Sequence, residues 1–467
     1  MQLPGFIDSH LHFLGIGYSA FLVDLSECKS IKEIQQKLLN SPRHFIVIGR
    51  GWNQESFLEK RMISKEDLDA VFTQIPMVLI RTCGHIIVVN SKMLELASIS
   101  SKTSQIEGGT FDFVSGVFTE KAIQLVYKAM PSPSREDLQQ YFIKANEILL
   151  SNGITSVASD DFSTFSIDYE EIISVLLELY EKNLIQVRVT EQVHLATLPL
   201  LIDFIQKGYV NKKIGKLRMG PLKLLADGSL GGRTALLKEP YSDDPSNKGI
   251  QSFSSKELFD FIHLADSNGM DVAIHAIGDL AIEQVIDAIS ASLQITKRTN
   301  HKHSIIHAQM ATLSQIAKMK KYNIGAIVQP IFLNSDIQII KKRIGNRYLE
   351  SYLFSSMAKL GLRVGFSTDS PVESVNPFHN LYLALSRTSM KTPSLGIFLK
   401  NECFTLKEAM ACYHNANLAY TYQENTEEAD YIVIDTDLIN CTLEELKNAC
   451  VLETYIASTL VYKKKEE

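Results

Sequence analysis

Along the second half of the chain, short runs of β-branched and apolar residues alternate with amphipathic segments of helical period. Ser254-Ser255-Lys256-Glu257 has capping-box spacing, in which the N-cap hydroxyl and the glutamate each bond the other's backbone N–H. It predicts a helix whose Leu258, Phe261, Ile262 and Ala265 share one stripe. Gly269 ends that helix, and Asp271-Val272-Ala273-Ile274-His275 reads as a buried strand. The next helical stretch aligns Ile282, Val285, Ile286 and Ile289, and the apolar run Ser304-Ile305-Ile306-His307 follows it.

Extending the pattern both ways gives strands over 5–12, 154–160, 185–193, 217–227, 271–275, 303–309, 324–329 and 363–369. Repeated strand–helix units with apolar strands imply a parallel sheet covered by helices, and eight of them favour closure into a (β/α)8 TIM barrel. No GxGxxG turn is present to support a dinucleotide fold. The stretch 13–152 is far longer than one crossover needs, so it reads as an insertion with strands of its own near 45–49 and 77–81. Residues 153–408 read as the remainder of the barrel. Residues 409–467 read as a C-terminal helix and a small β-sandwich, with strands at 430–434 and 453–461.

Composition narrows the function classes. The chain has 467 residues, a 45% hydrophobic share and a net charge of −6, which gives no basic footprint for nucleic acid. No apolar run approaches the ~20 residues of a membrane helix, and the opening residues lack a secretion signal. The six cysteines are scattered without CxxC pairs, as expected of reduced thiols in a cytoplasmic protein.

Candidate chemistry gathers at the strand ends. His10 and His12 lie two apart on a strand, so both imidazoles project to the same side, as a cation site needs. His275, His307 and Asp369 each end a strand of their own, and such ends converge on the barrel mouth. Singly, each could be a packed core histidine or a helix-capping aspartate; together they indicate one metal-holding constellation. Lys223 lies inside an apolar strand, where burial favours the neutral amine that can take up CO2. Its alternatives are a pair with Asp227 or a path to solvent.

With these residues in view, the chain resembles the YtcJ-like branch of the amidohydrolase superfamily, which includes N-substituted formamide deformylase. The resemblance runs through the opening strand at 4–12, Gly51-Trp52-Asn53, Gly84-His85, Asn90-Ser91 and the stretch from Lys223 to Ala235. It continues through 275–279, 307–309, Gln329-Pro330 and 367–373, in family order. Cys83 stands where the family has aspartate. The strands that usually precede the opening segment are missing, which implies an incomplete sandwich. The Gly-rich approach to Ala429-Asp430 is missing as well.

The resemblance implies two divalent cations, zinc by expectation, held by His10, His12, Lys223 (N6-carboxylated), His275, His307 and Asp369. It implies a metal-activated hydroxide that attacks a C–N bond of a small molecule, with Asp369 and His85 as catalytic groups. A homodimer is the assembly it suggests. His85, Asn90, Arg233, Gln309 and Trp52 are candidates for substrate binding. Against that stand loop hydrogen bonding for Asn90, a salt bridge for Arg233, and packing for His85, Gln309 and Trp52. Two other functions stay open: a related metal-dependent deaminase or esterase, and a non-catalytic regulatory protein on the same scaffold.

Overall fold

The computed structural model describes residues 1–41, 45–81, 86–106, 109–422 and 430–465. All eight predicted barrel strands form. They are β1 (Phe6–Leu11), β2 (Ile154–Ser159), β3 (Arg188–His194), β4 (Leu217–Leu225), β5 (Val272–Ala276), β6 (Ser304–His307), β7 (Gly325–Val328) and β8 (Val364–Phe366). Each pairs in parallel with the next, from β1 with β2 to β7 with β8. β6, β7 and β8 are buried at every position, which is why their sequences read as largely apolar runs and not as alternations.

Among the described residues the β8–β1 seam carries no ladder, and side-chain bonds with isolated backbone bonds close it instead. Ser9 Oγ donates to Phe366 O at 2.9 Å, and Asp369 N donates to His10 O at 3.0 Å. Thr368 donates to the Asp8 carboxylate through Oγ1 at 2.7 Å and through its backbone N–H at 3.1 Å. The result is a (β/α)8 barrel whose seam lies beside His10 and Asp369.

The helices follow the stripes. Ser255–Ser267 starts at the Ser254–Glu257 capping box and buries Leu258, Phe261, Ile262 and Ala265. Asp279–Thr296 buries Ile282, Val285, Ile286 and Ile289. Each such side chain contributes ~1.5–3 kcal/mol through burial.

The chain divides into two compact units, Met1–Ile16 with Phe142–Glu467, and Gly17–Tyr141. The second unit falls inside the 13–152 span. Its sheet runs Val23–Asp24, Val47–Trp52, Met77–Arg81, Ile86–Val89, Val117–Glu120, Gly109–Asp112. Leu25, Ile34 and Trp52 belong to one of its apolar clusters, and Val78, Ile87 and Phe118 to another. In the first unit, Tyr431–Ile434, Val451–Ile456 and Thr459–Lys463 form the expected small antiparallel sheet. Gln2–Pro4 adds an edge strand beside Tyr431–Ile434, a pairing too short to leave a periodic signal. Among the described residues, no helix is long and apolar enough to cross a membrane.

Candidate metal centre

The barrel brings the six predicted ligand residues to one mouth. His10 belongs to β1, Lys223 to β4, His275 to β5 and His307 to β6, while His12 and Asp369 follow β1 and β8. Asp369 Oδ1 lies 3.2 Å from His10 Nε2 and 3.2 Å from His12 Nε2. Lys223 Nζ approaches His10 Nε2 at 3.2 Å. The His307 ring centroid is 5.9 Å from that of His10 and 4.4 Å from that of His275. One ligand atom from each of His10, His12 and Asp369 can be chosen with all three within 4.8 Å of one another. His307 and Asp369 have φ of 76° and 56°, a region sparsely used by residues other than glycine, where functional side chains are often held.

Surrounding hydrogen bonds decide which ring nitrogens face the centre. Gln192 Nε2 donates to Ser9 O, which turns its Oε1 toward His10 Nδ1 at 2.6 Å. Gln329 Nε2 donates to Ser367 Oγ, which turns its Oε1 toward His307 Nδ1 at 2.7 Å. His12 Nδ1 donates to Asp160 O at 2.9 Å. With Nδ1 as donor in all three rings, each neutral imidazole presents an Nε2 lone pair. His275 is reversed: its Nε2 bonds Gly228 O at 3.0 Å, leaving Nδ1 as the acceptor nitrogen. Partners of this kind orient metal-ligating histidines. The donor set fits divalent cations that take nitrogen and oxygen ligands.

The two imidazoles on Asp369 differ in proton affinity. Burial, and then the Lys223 charge, lower His10 to about 4. Burial also pulls His12 down, but its bond and charge contact with Asp369, helped by Asp160, hold it up at about 9. Burial, then the neighbouring His275, keep His307 well below the usual histidine value. Burial would raise Asp369, yet the bonds from His10 and His12 outweigh it and hold the carboxyl well below its ordinary range.

Comparison with known proteins identifies the family. The family model described as the amidohydrolase family matches residues 1–462. The chain belongs to the amidohydrolase family. It is 31% identical to the amidohydrolase YtcJ of Bacillus subtilis (strain 168) over 483 residues, covering 99% of this chain and 89% of YtcJ. It is 24% identical to N-substituted formamide deformylase of Arthrobacter pascens, covering 99% of this chain and 88% of that protein. A metal-dependent hydrolase of Pyrococcus horikoshii superposes with a TM-score of 0.79 at 30% identity, covering 95% of this chain and 87% of the other. The amidohydrolase is thus a hydrolase that works with a divalent metal.

The proposed substrate contacts fare unevenly. Gln309, two residues beyond His307, is buried, with Nε2 at 3.4 Å from Asp336 and Oε1 lacking a partner among the described residues. Arg233 commits Nε and Nη2 to Asp243, at 3.1 and 3.0 Å, which is the salt-bridge alternative. In the Gly17–Tyr141 unit, Asn90 is fully buried and caps Ser91–Leu96. Its oxygen accepts from Met77 N and Met93 N, while its nitrogen donates to Phe72 O and Ile75 O, so nothing is left for a substrate. Trp52 is fully buried and stacks on Phe57, as a packing anchor does. His85 lies outside the described residues.

Sequence reasoning passed over several residues of this amidohydrolase. Lys223 meets neither Asp227 nor solvent; its Nζ lies 3.6 Å from Asp160 Oδ2. Burial would raise Asp160, but the charges of Lys223 and His12 hold it down. His194 closes β3 beside Lys223, with a buried Nδ1 that lacks a hydrogen-bond partner among the described residues and sits 4.0 Å from Asp160. Asp227 clamps the loops after β4 and β5 by accepting from Leu236 N, Ile277 N and Gly278 N. Asp160 and His194 end strands just as His275 does, so the strand-end rule could have found them.

Proposed function

We propose that this amidohydrolase cleaves a C–N bond outside peptides, in an amide, an N-formyl group or a cyclic amide of a small molecule. One contact carries the reading. His10 Nε2 and Asp369 Oδ1, both acceptors once His10 Nδ1 donates to Gln192, face each other at 3.2 Å. Only a proton or a cation shared between them makes that approach attractive. The resemblance to N-substituted formamide deformylase supports the choice of bond.

In this reading His10, His12, Lys223 as its N6-carboxylate, His275, His307 and Asp369 would hold the cations. Zinc suits the nitrogen and oxygen donors. When bound, the cations supply Lewis acidity, acidifying water and polarising a carbonyl. Proton movement falls to Asp369, which accepts the proton of the attacking water and delivers it to the leaving nitrogen. Gln309 Oε1, without a partner among the described residues, suits an N–H of the substrate. His194 offers a second polar contact at the mouth, and His85 is the candidate to steady the developing oxyanion.

A substrate panel tests the proposal. Metal-loaded protein is offered N-formyl amines, cyclic amides, esters and aminopurines, before and after chelation. Amide turnover that vanishes with the chelator and returns with zinc supports it. Turnover confined to esters or aminopurines, or none at all with metal bound, overturns it.

A further inference from the structure

A second concavity, about 650 Å³ in volume, lies at the opposite ends of the barrel strands. Thr155, Arg188 and Arg218 line it from the starts of β2, β3 and β4, and Lys213, Lys216, His414 and the Asp430 carboxylate are among its other polar residues. Arg218 and Lys223 lie five residues apart on β4, about 16 Å at strand spacing, so this cavity is separate from the mouth. Its volume is that of a small-molecule site.

The wall carries more positive charge than it neutralises. Arg188 is ion-paired with Asp430. Arg218, Lys213 and Lys216 have no ion pair among the described residues; the Arg218 guanidinium instead rests 5.0 Å over the Tyr422 ring. Burial, then repulsion from Arg188, lower the Lys216 amine. Three polar atoms of the wall are buried without a hydrogen-bond partner among the described residues: Arg218 Nε, His414 Nδ1 and Thr155 Oγ1. Thr155 is only 1% exposed, so its hydroxyl bears the full cost of burial. A side chain at Gly5 would fall 2.7 Å from that oxygen, so glycine there keeps the space in front of it free of a side chain. An oxyanion in the cavity would satisfy these groups together, since its oxygens accept from hydroxyl, guanidinium and ammonium alike. Leu3, Ile7 and Leu418 offer the same ligand an apolar contact.

We infer that this cavity binds a small organic oxyanion, a phosphate or a carboxylate with a carbon body, through Arg218, Lys216 and the Thr155 hydroxyl. Calorimetric titration of the metal-loaded full chain with phenyl phosphate, benzoate and, as neutral control, benzyl alcohol tests it. The expected result is saturable binding of at least one anion and none of the alcohol. Arg218→Gln should weaken that binding roughly tenfold, the scale of one charged hydrogen bond. Thr155→Val should weaken it severalfold without lowering thermal stability, because the hydroxyl has no partner to lose. Asp369→Asn should leave it unchanged. Absence of saturable anion binding, equal binding by Thr155→Val and Lys213→Gln proteins, or loss of binding in Asp369→Asn, which would place the anion at the mouth, overturns the inference.

Discussion

At the scale of single residues, this amidohydrolase reads as a set of imidazoles whose tautomers are fixed from behind. Gln329 Oε1 holds His307 Nδ1, and Gln192 Oε1 holds His10 Nδ1. Gln329→Leu and Gln192→Leu keep the approximate volume and remove that acceptor. Each is expected to weaken zinc binding by about 10- to 100-fold, measured by competition with a chromophoric chelator. Unchanged affinity would mean that the rings are oriented by packing alone. Asp369 belongs to the same scale. Its replacement by asparagine should lower turnover on the order of 10³-fold, while circular dichroism shows the fold retained; an active variant would remove Asp369 from proton transfer. All six candidate ligand residues were legible in the sequence, because each lies among the last three residues of a strand or follows one within three residues. The two glutamines were not, since an amide two residues before a strand end, or one after it, looks like any packed polar group. Asn90 misled in the opposite sense: its motif position suggested a substrate contact, yet its amide is spent on a helix cap and on neighbouring backbone.

At the scale of elements, Asp266 ties together parts that the periodicity could only place side by side. It stands in Ser255–Ser267 and accepts from Ser292 Oγ at 2.8 Å and Thr296 Oγ1 at 2.7 Å, both in Asp279–Thr296. It also accepts from Arg298 Nη1 at 2.8 Å and bonds His303 Nε2 at 3.1 Å, just before β6. Burial would raise the Asp266 carboxyl, but bonds from His303, Thr296 and Ser292 outweigh it and set the folded value well below the unfolded one. A carboxyl depressed on folding stabilises fully above its unfolded value, near pH 4, and loses that contribution as pH falls toward the folded value. Wild-type stability should therefore decline on acidification below about pH 4. Asp266→Asn should lose about 3 kcal/mol at neutral pH, as a broken buried pair does, and show a shallower acid decline. Urea unfolding between pH 2 and 7 measures both; parallel pH profiles for the two proteins would contradict the assignment. The helices themselves were legible from stripes and capping boxes. The buried clasp was not, because a lone aspartate on a helix usually faces water.

At the scale of the whole chain, the sequence outlined the barrel because seven of its eight strand–helix units repeat with little interruption between 153 and 408. The separate unit Gly17–Tyr141 lies within the 13–152 stretch that the sequence reads as an insertion. The pattern favoured closure but not the way it is made, since the β8–β1 seam depends on Asp8, Ser9 and Thr368 side chains meeting their partners across more than 350 residues of chain. Cations held at the mouth would join β1, β4, β5, β6 and β8, so metal should stabilise the barrel as a unit. A ligand at 100 times its dissociation constant adds about 2.7 kcal/mol. The metal-loaded chain should accordingly melt well above the chelated one in scanning calorimetry. Equal melting temperatures would separate the metal from this fold.

The central claim is that side chains remote in sequence surround shared cations. Anomalous diffraction at the zinc edge, on crystals of zinc-loaded protein, tests it most directly. The account predicts one peak bounded by His10, His12 and Asp369 and a second bounded by His275 and His307, with Lys223 between them. Zinc bound elsewhere, or a mouth without an anomalous peak in a protein that is hydrolytically active, would contradict it.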